Sequence, residues 1–321
     1  MLRYAAKKSF QSLCTILVVS FLTFLLLWLM PGDAATLSVD LSSGNINTQS
    51  LDIIREQYDL KSSILEQYIH WLTKIFHGDF GMSSTYHRPV FEVVPKHLAV
   101  TVRFGLMSLV LSTCGGIALA YIAATHRGTI CDDIICFLSG LGVSTPPFLI
   151  AIILILVFST SLGWLPVQGY TEPNVDYTLH LKKMIMPCMV AAFGGMATVI
   201  RQTRASVLDV LNKDYVRAAK ARGLLRKDIA LRYIIRNALT PVLTLLGLQI
   251  CVLFGGIVVV ENIFNIPGMG SLLLTAVKNR DVALVQICVL IMAVAIIVSS
   301  LLVDIAYGIA DPRMRQSSGG E

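Results

Sequence analysis

From Phe10 to Met30 the chain runs for about 21 residues without a charged side chain. At 1.5 Å per residue that length crosses roughly 30 Å of hydrocarbon. Comparable apolar stretches recur at Leu98 to Ala124, Ile134 to Ser161, Met184 to Ile200, Ala238 to Val260 and Val282 to Asp304. A backbone in lipid must satisfy its own hydrogen bonds, and an unbroken apolar segment does so as a helix. The pattern predicts an all-α integral membrane protein with six transmembrane helices. Only 14% of the residues are charged, against about 25% in soluble domains, and the deficit lies in these runs. Most of the seven cysteines, Cys14 to Cys288, also sit within them. There they behave as small hydrophobes, so no disulfide framework is expected.

Charge orients the spans. Arg3, Lys7 and Lys8 precede the first one, and ten basic residues between Arg201 and Arg236 accompany only Asp209, Asp214 and Asp228. Lys and Arg beside membrane spans resist translocation, so both segments are expected on the cytoplasmic side. Pro31 to His97 carries eight acids and five bases and is placed outside, with both termini inside. The expected layout is a tail and first span at 1–30, an extracytoplasmic loop at 31–97, a five-span core at 98–308 containing the basic loop 201–237, and a cytoplasmic tail at 309–321. A secretory leader also begins with basic residues, but its apolar core spans only about 7–15 residues, so an uncleaved first span is predicted. The +6 net charge then reflects topology and contact with membrane lipid. No basic-aromatic pattern points to nucleic acid.

Within the outer loop, Ile53 to Tyr58 and Ile64 to Phe76 are predicted as short amphipathic helices. Ile64, Leu65, Tyr68, Leu72, Ile75 and Phe76 recur at helical spacing, and Gly78 ends the second helix. His70, His77, His87 and His97 share this loop and are read as surface groups rather than a metal set. The prolines beside Ser144 (Pro146 and Pro147) kink the third span. That places Ser144 and Pro146 among candidates for lining a passage, with Gln249 as a further candidate or an interhelical hydrogen-bonding group.

Several chemistries are missing. No Gly-x-x-x-x-Gly-Lys-[Ser/Thr] loop is present for ATP, and no carboxylate dyad, Ser-His-Asp set or His-Glu-x-x-His occurs. Cofactors and catalytic residues are therefore not expected on this chain. A self-contained ion-driven carrier usually keeps acids or histidines in mid-membrane. These spans almost lack them, so energy is expected from outside the chain.

Ala218-Ala219, three residues, then Gly223 resembles the EAA loop of ABC importer permeases. Arg217 stands where that family often has Glu, and Arg236-Asn237 where many members have Pro-Asn. Both departures resemble the B-type (first) permease of dipeptide, oligopeptide and nickel importers. Gly78-Asp79-Phe80-Gly81, Ser144-Thr145-Pro146-Pro147-Phe148, Glu261-x-Ile263-Phe264-x-x-Pro267-Gly268-x-Gly270 and Asp311-Pro312-Arg313 extend the likeness along the chain. The resemblance implies a multi-pass permease of the bacterial inner membrane. Its partners would be a second permease subunit, two ATP-binding subunits holding ATP and Mg²⁺, and an extracytoplasmic solute-binding protein. It implies that Asp214, Tyr215, Arg217, Ala218, Ala219, Lys220, Ala221, Arg222 and Gly223 couple to the ATPase. Small residues at Ala218, Ala219 and Ala221 would allow close approach, and Gly223 a sharp helix end. It implies that Glu261, Phe264, Pro267, Gly268 and Gly270 form an outer gate or mouth. Peptides are the implied substrate, with nickel or a metal–chelator complex as the alternative.

Overall fold

The computed structural model describes residues 2–29, 63–225, 228–235, 238, 245–247, 249–250 and 257–310, without the side chains of 2–8, 220, 231, 302 and 304–310. The expected helix Ile53 to Tyr58, Arg236-Asn237 and the Asp311-Pro312-Arg313 tail lie outside the described residues. So does most of the expected fifth span. The helices are α1 (Leu2–Trp28), α2 (Ile64–Phe76), α3 (Val90–Thr125), α4 (Ile130–Ser144), α5 (Pro147–Leu154), α6 (Tyr177–Leu211), α7 (Asp214–Ala221), α8 (Val258–Ile263), α9 (Met269–Lys278) and α10 (Val282–Ala310). π-Helical segments continue α5 (Ile155–Ser161) and follow α7 (Ile229–Ile235). Strands β1 (Met82–Ser83) and β2 (Arg88–Pro89) form a minimal antiparallel hairpin.

Among the described residues, four helices are long and apolar enough to cross a membrane: α1, α3, α6 and α10. The expected third span is not one continuous helix. α4 and the α5 segment pass the same test together, but they bend by 116° at the break. Thr145 and Pro146 are both extended there, at ψ 128° and 139°. A residue before proline is pushed out of the α region, and Pro146-Pro147 imposes this twice in succession. Pro147 then opens α5 at a position where its missing N–H costs nothing.

The chain divides into two compact units. The first comprises residues 1–99 and 271–297, the second residues 100–270 and 298–321. In the first, α2 starts with a capping box: Ser63 Oγ accepts from the Glu66 amide, and the Glu66 carboxylate accepts from the Ser63 amide. It ends at His77, and Gly78 takes φ +83°. Tyr68 is its buried anchor. Its hydroxyl lies 2.8 Å from Ser20 Oγ, and its ring packs edge-on to Phe21 and Phe24 of α1. Leu65 and Phe76, expected on the packing face, are instead exposed, and Ile64, Trp71, Leu72 and Ile75 flank Tyr68. Asp281, immediately before α10, is 1% exposed. Its carboxylate accepts from Ser83 Oγ (2.5 Å), the Thr85 amide (3.0 Å) and the Leu284 amide (3.1 Å). One side chain thus caps α10 and ties it to the hairpin. Burial, and secondarily the Asp281 carboxylate, push the nearby Tyr86 phenol above its ordinary value.

The second unit carries the candidate site. An apolar cluster in it joins Val100 and Phe104 of α3, Ala151 of α5, Met184, Met186, Cys188 and Val190 of α6, and Ile257, Val260, Phe264 and Ile266 in and around α8. Close approach of α4 to α6 depends on Gly142, where an added Cβ would stand 2.7 Å from the Ala197 Cβ.

Candidate coupling site and translocation elements

α7 begins three residues after α6 ends, close enough to fold back on it. Val216 (0% exposed) and Ala219 (3%) point into a cluster with Ala124 at the end of α3, Val207 and Val210 in the last turns of α6, and Ile229 and Ile234 beyond the helix. The opposite side is open: Asp214, Tyr215, Arg217, Ala218, Ala221, Arg222 and Gly223 are all exposed, as are Leu224 and Leu225. The sequence assigned Ala219 to an outward face with Ala218 and Ala221. The structure instead turns it inward, because residues 216 and 219 share the face that meets α6. Its small size serves this chain's own packing. Gly223 takes φ +72°, and the Leu224 amide reaches back to the Ala219 carbonyl at 3.4 Å. This is the left-handed turn that closes a helix with glycine. The Arg217–Asp214 pair is 3.7 Å long and highly exposed, so it contributes little to stability and leaves both charges on the surface. The Lys220 side chain lies outside the described residues.

The Glu261–Gly270 element is built around a buried carboxyl group. Glu261 is 1% exposed and accepts from Thr101 Oγ1 at 2.7 Å. The Thr101 hydroxyl in turn accepts from the Met269 amide at 2.7 Å. The Ile266 amide donates to the Glu261 carbonyl at 2.8 Å, and Asn265 takes the positive φ (+52°) that turns the chain. Neither Gly268 nor Gly270 has positive φ. A Cβ on Gly268 would collide with the Glu261 carboxylate. One on Gly270 would lie 2.6 Å from Val258 Cγ2 and 2.8 Å from its Cα. The glycines make room. Of the five residues expected at an outer gate or mouth, Pro267 is exposed, and Glu261, Phe264, Gly268 and Gly270 are buried and build the turn.

The passage candidates separate. Gln249 accepts from Ser112 Oγ of α3 (3.0 Å) and donates to the Gly195 carbonyl of α6 (2.9 Å). It therefore cross-links two helices. Ser144 donates back to the Gly140 carbonyl at 3.1 Å and terminates α4. Thr145 and Pro147, flanking Pro146, line a cleft of about 240 Å³ with Gly142, Val143, Ile150, Val190, Gly194 and Thr198. Of the four histidines expected in the outer loop, His97 lies within α3, and His77 and His97 each contact the backbone carbonyl four residues before. Among the described residues no three His, Cys, Asp or Glu side chains gather as a metal set.

Neither Thr101 nor Asp132 was among the residues the sequence pointed to. Asp132 lies in the first turn of α4. Its carboxylate is held by both nitrogens of an Arg204 fork at 2.7 Å each. Seventy-two positions separate the partners, so local spacing offers no signal.

Comparison with known proteins supplies the family. Residues 116–316 match the family described as binding-protein-dependent transport system inner membrane component, and residues 1–103 match the N-terminal family of such membrane components. The chain belongs to this family. The permease is 36% identical over 310 residues to a putative peptide transport system permease protein of Brucella abortus, covering 96% of this chain and 98% of that one. It is 34% identical over 315 residues to the glutathione transport system permease protein GsiC of Escherichia coli, covering 98% and 99%. A probable peptide ABC transporter permease protein of Sinorhizobium fredii shares 32% over 312 residues, covering 97% and 99%. The permease is thus a multi-pass membrane component of a transport system and not an enzyme.

Proposed function

We propose that this chain is one of two permease subunits of an ATP-driven importer for peptides, paired with a second, homologous permease. It crosses the bacterial inner membrane six times, with both termini and α7 on the cytoplasmic side. Two ATP-binding subunits, which hold ATP and Mg²⁺, dock on the exposed face of α7. A solute-binding protein delivers substrate from the other side. The observation that carries this reading is the two-faced build of α7. Val216 and Ala219 bind its back to the ends of α3 and α6, so a push on its front displaces those helices as a body. Tyr215, Arg217, Ala218, Ala221 and Arg222 present a basic, small-residue front that fits a groove on an acidic partner. Rocking of the spans between outward- and inward-open states follows from such a lever. Relatives named for peptide and glutathione transport, the latter a tripeptide, support peptides as the substrate class.

Gly223→Pro tests the lever. The native φ of +72° is closed to proline, whose ring holds φ near −65°. In the assembled transporter, uptake of labelled di- and tripeptides should fall at least tenfold while the complex still forms. Full uptake with normal ATP hydrolysis removes α7 from the coupling role.

A further inference from the structure

Asp132 and Arg204 form a bidentate ion pair between α4 and α6. Asp132 lies in the first turn of α4 with its side chain 5% exposed, and Arg204 lies in α6, 25% exposed. Arg204 Nε donates to Oδ1 and Nη2 to Oδ2, both at 2.7 Å. The Gly128 amide adds a third bond to Oδ2 at 3.2 Å, and the Cys136 thiol contacts Oδ1 at 3.5 Å. The carboxylate therefore ties together the α3–α4 turn, the start of α4 and the last third of α6. A buried ion pair is a poor route to stability, since apolar residues of similar volume commonly do as well or better. What a bidentate fork supplies is fixed orientation.

Its place in the chain gives that orientation a use. From Arg204 two helical turns lead to the end of α6, and those turns carry Val207 and Val210, which hold Val216 and Ala219 of α7. From Asp132, α4 leads to the break at Thr145-Pro146 and the cleft beside it. We propose that Asp132 and Arg204 are positioning residues for coupling: the pair makes α4 follow α6 when α7 is displaced, so that nucleotide-driven movement reaches the α4–α5 break. This rests on the docking role given to α7 above.

The test uses the assembled transporter in nanodiscs with ATP as the probe. A fluorophore is placed at Ile134→Cys, which is 52% exposed, on a background with Cys14, Cys114 and Cys131 replaced by Ser. In the otherwise native protein, ATP should shift the emission. In Asp132→Asn, and separately in Arg204→Lys, the shift should shrink at least fivefold while ATP hydrolysis and yield of complex stay within twofold. The exchange Asp132→Arg with Arg204→Asp should restore at least half of it. An undiminished shift in either single variant overturns the proposal. So does a loss matched by equal losses of hydrolysis and assembly, which is the signature of a simple staple, or an exchange that restores nothing. If ATP shifts nothing in the native protein, the docking reading fails and this inference with it; a native shift that survives both variants overturns the inference alone.

Discussion

Replacing Gly268 by alanine is the sharpest test of how the Glu261 turn is held. The new methyl group would occupy the space of the Glu261 carboxylate. That carboxylate has nowhere to go: Glu261 is 1% exposed, and Phe264, Ile266 and Met269 around it are each 1% exposed or less. Relief requires either turning Glu261 off the Thr101 hydroxyl or moving the backbone at 268. Losing the 2.7 Å bond costs on the order of 1–3 kcal/mol. The strain of an added carbon in a filled interior costs about 1–3 kcal/mol more. Gly268→Ala should therefore destabilise by roughly 2–6 kcal/mol, lowering the thermal midpoint in detergent by on the order of 10 °C. Gly140→Ala is the control. Nothing lies within 4 Å of its added Cβ and its φ is ordinary, so it should be neutral or gain about 0.5–1 kcal/mol. A double variant, Glu261→Ala with Gly268→Ala, should be less damaging than the sum of its parts, because the deleted carboxylate vacates the contested space. A Gly268→Ala melt indistinguishable from wild type, or strictly additive losses in the double variant, would refute the account of these glycines as room for a buried acid.

Two further outcomes follow from the other contacts. Asp281→Asn weakens a group that accepts three hydrogen bonds and replaces one acceptor oxygen with a donor; it should loosen the β1–β2 hairpin by about 1–3 kcal/mol, read as faster proteolysis near the exposed His87. Ala219→Leu should destabilise the isolated subunit by about 1–3 kcal/mol through overpacking, whereas Ala218→Leu should leave its melt unchanged and weaken association with the ATP-binding subunits, measured by co-purification.

Much of the candidate site was legible because its signals are local. The helical period placed α2 and its Tyr68 anchor, and Gly223 announced the end of α7 through the one conformation it tolerates easily. Four of the expected spans, those in α1, α3, α6 and α10, announced themselves by length and absence of charge. Other features were illegible because their causes are distant. Which of Ala218 and Ala219 faces inward depends on where Val207 and Val210 lie. Why positions 268 and 270 must be glycine shows only when Glu261 and Val258 are seen filling the space beside them. Pro146-Pro147 marked a kink, but its 116° size is set by two extended residues in succession and by what α5 packs against.

The bare order of residues determined that this chain lives in a membrane, and it marked a basic loop with a glycine-closed helix as the candidate docking segment. Apolar length, charge placement and the special conformations of glycine and proline act over a few residues, so they survive without tertiary context. Only the folded structure decided that Thr101 serves Glu261, that Asp281 serves Ser83, and that Asp132 is clasped by Arg204. A buried carboxylate must find donors, and those donors come from wherever packing brings them, 72 to 198 positions away.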